Sequence, residues 1–347
     1  MPVFAYLLMG RKFVSQQMGL CVFRAQLRLR TFYIRKEQNR MKRFITLLLA
    51  IVMAFAFVAC GEGTTQNGSG SENTQQGGNT QQGGTTDDPG KMETNDVTFT
   101  QLVAVDNEEC AIKITGIDSD NFWGYALKVQ LENKSADKTY MFSVESAAIN
   151  GVKCNPLFAT DVAAGKKANE EITFLDSDLE DLGIGDYTDI ELTFRVYDSN
   201  DWMADEVAME TVHVYPYGED KAVKFVRAAQ ASDNVIMDNA YVTAIVTGYS
   251  VDEIWGYSVN VFLVNKTDKD IMFSVNDASM NGYMADPFFA TNVAAGKCSF
   301  ESITWFNTTL EENNITEVEE IEFNLQVRDA NEWLTDDFAD EKITLNP

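Results

Sequence analysis

The sequence predicts an all-β protein whose folded part is two tandem copies of one module, and three observations carry that expectation. The segment 96–216 is written again as 223–347, with Trp123 aligning on Trp255 and "FATDVAAGKKA" on "FATNVAAGKCS". Within each copy the apolar residues recur with period two, the signature of half-buried strands. Asn150-Gly151 and Asn281-Gly282 fall between apolar runs, where a tight hairpin needs positive φ at both turn positions.

Each element follows from that pattern. Tyr125, Leu127, Val129 and Leu131 alternate with Ala126, Lys128, Gln130 and Glu132, and the second copy repeats this with Tyr257, Val259, Val261 and Leu263. Ile190, Leu192, Phe194 and Val196 are matched by Ile321, Phe323, Leu325 and Val327. Strands are expected in the first copy at 97–105, 109–117, 123–132, 140–149, 170–175, 189–197 and 207–215. Seven short strands in about 120 residues, with little helical periodicity, predict an immunoglobulin-like β-sandwich for each copy. A short helix is expected at "DSDLEDLG" and at "NTTLEENN". The connector "YGEDKA" is short, which places the two modules close together.

The Ala-Ala-Gly-Lys inside the repeated phrase is not a phosphate loop. Such a loop needs a glycine five residues before the second one and a hydroxyl after the lysine. Here Thr160 and Thr291 stand at the first place, and Lys167 and Cys298 at the last. Gly165 and Gly296 read instead as turns into the strands "EEITF" and "ESITW". The strand "YALKVQLENKSADK" followed by "DVAAGKKANEEITF" resembles a broad group of secreted and lipid-anchored Gram-positive proteins with immunoglobulin-like domains of unknown function. That resemblance implies no catalytic residues.

Ahead of the modules lies a secretory signal at 41–59, with Lys42 and Arg43 before an apolar run from Phe44 to Val58. Cys60 directly after it resembles the lipidation site of bacterial lipoproteins, which implies cleavage before Cys60 and a lipid on its thiol. Residues 1–40 form an unpatterned basic extension before a complete signal, and the simplest account is an upstream start assigned in error, with Met41 as the true first residue. Residues 60–95, rich in Gly, Gln, Thr and Asn, hold too little apolar surface to order and are expected to be a disordered tether. The expected location is the extracellular face of the cytoplasmic membrane, with the membrane itself reached through the lipid on Cys60.

The chain has 53 acidic residues against 27 Lys and Arg, a net charge of −26, and ten of those basic residues precede residue 44. The modules are therefore strongly acidic, which argues against nucleic acid as a partner. Cys110, Cys154 and Cys298 occupy unmatched places in the two copies, so free thiols are expected, with Cys110–Cys154 the pairing left open. Cys110 shares the parity of Ile112 and Ile114, which makes it a core residue.

Catalysis is not expected. The single histidine, His213, has no counterpart in the second copy and reads as a strand residue, and no nucleophile-elbow or zinc-protease motif occurs. One constellation stands out. If the second-to-third and sixth-to-seventh strand loops share one end of the sandwich, Asp118, Asp120, Trp123, Asp198, Asp201, Trp202 and Asp205 converge. Asp252, Glu253, Trp255, Asp329, Glu332, Trp333 and Asp336 do the same in the second copy. Carboxylates at that density suit calcium, and exposed tryptophans suit sugar rings. The competing reading makes Trp123 and Trp255 core residues and the acids solvating charges; Phe158 and Phe289 are expected in the core. No cofactor is expected apart from that calcium alternative. The sequence thus points to a non-catalytic binding or adhesion module at the cell envelope, with a protein or glycan partner. Its alternatives are a carbohydrate- or calcium-binding module and an assembly factor of a surface complex.

Overall fold

The computed structural model describes residues 97–176, 178, 182–201, 203–332 and 335–347. The extension, the signal stretch, Cys60 and the whole tether lie outside them, as do Trp202, Trp333 and much of the first expected helix. Among the described residues no helix is long and apolar enough to cross a membrane.

The first repeat contains β1 (Leu102–Asp106), β2 (Cys110–Asn121), β3 (Gly124–Asn133), β4 (Tyr140–Ile149) and β5 (Val152–Cys154). It continues with β6 (Ala159–Val162), β7 (Lys167–Leu175), β8 (Ile190–Asp198) and β9 (Ala208–Val214). The second repeats the series as β10 (Asn234–Asp238), β11 (Val242–Asp252), β12 (Gly256–Asn265), β13 (Ile271–Met280) and β14 (Tyr283–Met284). Its remaining elements are β15 (Ala290–Val293), β16 (Cys298–Trp305), α1 (Asn307–Glu312), β17 (Ile321–Asp329) and β18 (Ala339–Leu345). The seven expected strands are present in each copy. The two missed, β5 and β6 with their counterparts, are too short to show a period.

Both copies are β-sandwiches. In the first, the sheet β1-β2-β3-β7 faces one in which β8 and β9 flank β4 on one edge and β5 and β6 share its other edge. The strand path is not that of antibody domains, because β3 stays beside β2 as a hairpin and the chain changes sheets only after Asn133. Alternation builds the core: Ile112, Ile114, Leu127 and Leu131 from one sheet meet Phe142, Leu192, Phe194 and Val196 from the other, all fully buried. Asn150-Gly151 and Asn281-Gly282 have positive φ at all four residues, as the hairpin reading requires. Gly165 and Gly296 turn the chain between sheets, with the amides of Lys166 and Lys297 donating to the carbonyls of Ala163 and Ala294. Cys110, Cys154 and Cys298 are free and buried. Phe158 and Phe289 pack, partly buried, against their respective cores.

The two sandwiches share a continuous sheet. β16 of the second pairs in parallel with β5 of the first at Cys298 and Val152, and the Cys298 amide donates to the Gly151 carbonyl at 3.0 Å. Beside this bridge Lys153 Nζ contacts Glu301 Oε1 at 2.9 Å, and the same carboxylate accepts from Thr291 and Ser299. Lys297 pairs with Glu191 across the same junction. Phe225 of the connecting segment packs on Phe262 and Phe300, whose rings lie 4.8 Å apart. Phe262 and Cys298 therefore belong to the first repeat's hydrophobic cluster although they come from the second repeat.

Removing Lys153 strands Glu301 in a half-buried site. With the two side chains 25% and 23% exposed, Lys153→Ala should lower stability by roughly 1–2 kcal/mol, less than a fully buried pair would. Replacing both partners by apolar residues (Lys153→Met with Glu301→Leu) should recover most of that loss in urea unfolding.

Candidate functional site

Exposed apolar side chains, aromatic ones among them, stand at the apex of the second-to-third strand hairpin in each copy. In the first, Asn121 closes the turn: its Oδ1 accepts from the Trp123 amide at 3.0 Å while its Nδ2 donates to Glu171 at 3.0 Å. Gly124 follows with φ +136, and a Cβ there would stand 2.1 Å from the Phe174 carbonyl oxygen. Only glycine fits this close approach to the end of β7. The consequence is a rigid apex carrying Phe122, 75% exposed, and Trp123, 51% exposed, with their rings edge to face at 5.0 Å.

The second copy reaches the same result by different contacts. Asp252 Oδ1 accepts from the amides of Ile254 and Trp255 at 2.7 and 2.9 Å. Gly256, φ +106, brings the backbone so close to the end of β16 that a Cβ would lie 2.2 Å from the Trp305 carbonyl oxygen. Asn307 at the start of α1 donates to the Glu253 carbonyl at 2.9 Å. Trp255 packs on Phe306 at 6.4 Å and Phe306 on Phe288 at 5.7 Å, with Ile254, Phe288 and Phe306 all exposed.

Trp123 is thus a surface residue and Trp255 is half-buried beside the exposed Ile254 and Phe306, so neither is the core tryptophan of its sandwich. Among the described residues the core tryptophan is Trp305, fully buried, whose indole donates to the Ala285 carbonyl at 2.7 Å. Its counterpart in the first copy is Phe174, and its parity with Ile303 was the available signal.

The acidic constellation does not assemble as expected. Asn121 lies opposite Gly124 at one end of the β2–β3 pair, and Cys110 lies opposite Asn133 at the other. The second end is where Asp198 sits, since it is level with Tyr140, whose hydroxyl donates to Glu109 at 2.6 Å. Asn107 likewise reaches the Val207 carbonyl at 3.1 Å. Asp118, Asp120 and Trp123 therefore stand at the end of the sandwich opposite to Asp198, Asp201 and Asp205. The same registers separate Asp252, Glu253 and Trp255 from Asp329, Glu332 and Asp336.

Several of these acids serve their own turns. Asp198 accepts from the Asn200 amide and Asp201 from the Met203 amide. Asp329, nearly buried, accepts from the amides of Asn331 and Glu332 and pairs with Lys269 at 2.8 Å, and the Lys269 hydrogen bond holds its carboxyl below the usual range. Asp118 pairs with Lys128 at 2.9 Å, which lowers its pKa in the same way. Asp120, Asp205 and Asp336 are exposed. Among the described residues no group of three or more His, Cys, Asp or Glu side chains is placed to hold a metal ion. His213 sits on β9 between Asp189, at 2.7 Å, and Glu191, at 3.3 Å, stacked on Tyr215.

The apex should be separable from the core by mutation. Gly124→Ala and Gly256→Ala should each cost about 2–4 kcal/mol in urea unfolding, since each combines a positive φ with a backbone collision. Trp123→Ala should stay within about 0.5 kcal/mol, whereas Trp305→Phe should cost roughly 1–3 kcal/mol through its lost volume and its orphaned acceptor.

No family model matches the chain, and no curated protein does. Among solved structures it is similar to red sea bream transglutaminase at 9% identity, over 65% of this chain and 29% of that one, with a TM-score of 0.22. The chain spans under a third of that protein's length, and a likeness of this degree carries no argument about activity.

Proposed function

We propose that this protein is a membrane-anchored extracellular lipoprotein that acts as a non-catalytic binding or adhesion module at the cell envelope. The observation that carries the reading is the duplicated aromatic apex: Phe122 and Trp123 in one sandwich, Ile254 and Trp255 in the other, held by glycines that admit no side chain. An exposed Trp123, and a half-buried Trp255 flanked by exposed Ile254, offer large apolar area on side chains with few rotatable bonds, which suits a recognition surface. The signal stretch before Cys60 and the polar tether after it support an anchored display of such a surface.

A glycan is the second reading, favoured by the exposure of the Trp123 indole face, because sugar rings stack on flat aromatic surfaces. The strongly acidic composition favours partners other than anionic polymers.

Residues 91–347 incubated with isolated cell walls should pellet with them, and the Trp123→Ala, Trp255→Ala double variant should remain in the supernatant. Retention after protease treatment of the walls identifies a glycan, and loss identifies a protein. Full retention of the double variant, or no pelleting of the parent protein, overturns the apex reading. Hydrolysis or group transfer that survives purification overturns the non-catalytic one.

A further inference from the structure

The junction between the two sandwiches leaves its own two halves vacant at the outer ends of the molecule. Inside the chain, the β5 edge of the first repeat receives β16 of the second. By the repeat, β14 corresponds to β5 and β7 to β16. In the sheet order β1-β2-β3-β7 the outer edge of β7 carries only an isolated bridge from Leu157 to Thr173 near its far end, which leaves the Lys167–Ala168 end without a strand partner among the described residues, and β14 pairs with β13 alone.

Burial records the difference. Val152 on β5 is fully buried, while its counterpart Tyr283 on β14 is 56% exposed and the next residue, Met284, is 68% exposed. Cys298 and Ser299 at the start of β16 are buried, while Lys167 at the start of β7 is exposed and Ala168 is half-buried. Two large apolar side chains on a strand edge stand where the same fold elsewhere in the chain has a partner, and short edge strands with free backbone groups accept further strands.

Polar complementarity is partly kept. Lys166 and Glu322 stand where Lys297 and Glu191 pair across the internal junction, with Glu322 also paired to Lys342 of its own sandwich at 2.8 Å. Other contacts are not kept. Gln130 and Asn169, hydrogen-bonded to each other at 3.4 Å, replace Phe262 and Phe300, and Met284 with Glu170 replaces the Lys153–Glu301 pair. An outer junction is therefore weaker than the inner one.

We propose that the β14 edge of one molecule takes up the β7 edge of a second copy, in the parallel register that joins β5 to β16 within the chain. The contact is head to tail, so each added molecule presents a new β14 edge, and growth is open rather than closed. In this register Tyr283 of one copy lies opposite Lys167 of the next, as Val152 lies opposite Cys298.

The two sandwiches fall within one compact unit, and a soluble chain from Thr85 to Pro347 is the species to test. Its sedimentation coefficient should rise as concentration increases from micromolar to millimolar, and Met284→Glu should abolish the rise. Mixing the Lys167→Cys and Tyr283→Cys variants under mild oxidation should give a disulfide dimer, and the double variant should give a ladder. The native thiols should stay out of this chemistry, since burial pushes Cys110 and Cys298 up to about 11 and Cys154 up to about 12. An unchanging sedimentation coefficient up to millimolar concentration overturns the proposal. So does association in which Lys167→Cys crosslinks Tyr283→Cys no better than it crosslinks Asp340→Cys on the far strand β18.

Discussion

Each sandwich passes its chain from one sheet to the other at a buried asparagine, and the placement of every loop depends on that crossing. Asn133, 1% exposed, donates from Nδ2 to the carbonyls of Lys138 and Val162, and its Oδ1 accepts from the Ser135 amide. One side chain thereby ties the end of β3, the crossing segment and the end of β6. Asn265, equally buried, makes the corresponding bonds to Lys269, Val293 and Thr267. A buried amide is costly unless satisfied, and here these bonds satisfy it while holding carbonyls of irregular backbone. Because the crossing comes after β3, the β2–β3 apex and the β8–β9 loop are driven to opposite ends, and the aromatic and acidic loops serve separate surfaces.

Duplication supplied two copies of the module, and divergence made their outer faces different. The same strand face carries Phe262 and Phe300 where it packs against the connecting segment, but Gln130 and Asn169 where it meets solvent. Lys153 sits in the junction and Met284 at the open edge. The inner contact combines a backbone bridge, an aromatic cluster and two ion pairs. These features make the tandem one sheet-continuous body instead of two domains on a flexible link.

Strand positions were legible because alternation is local: a residue's parity relative to its neighbours assigns it to one face whatever pairs with it. Parity failed at the apices. Trp123 shares the parity of Tyr125 and Leu127, and Trp255 that of Tyr257 and Val259, so both read as inward. The register slip between Asp118 and Asn121 in the first copy, and the positive φ at Gly124 and Gly256 in both, end the alternation one residue short. β5, β6, β14 and β15 were missed for a related reason, since two to four residues show no period.

Duplication, strand content, the Asn-Gly turns and the burial of Cys110 are properties of neighbouring residues, and the amino-acid sequence alone determined them. Tertiary structure decided which strand lies beside which, because hydrogen-bond partners far apart in the chain are chosen by the packing of two whole sheets and not by any local pattern. It decided in turn that Trp305 is core and Trp123 surface, that the acidic loops are divided between two ends, and that Phe262 completes the core of the other repeat.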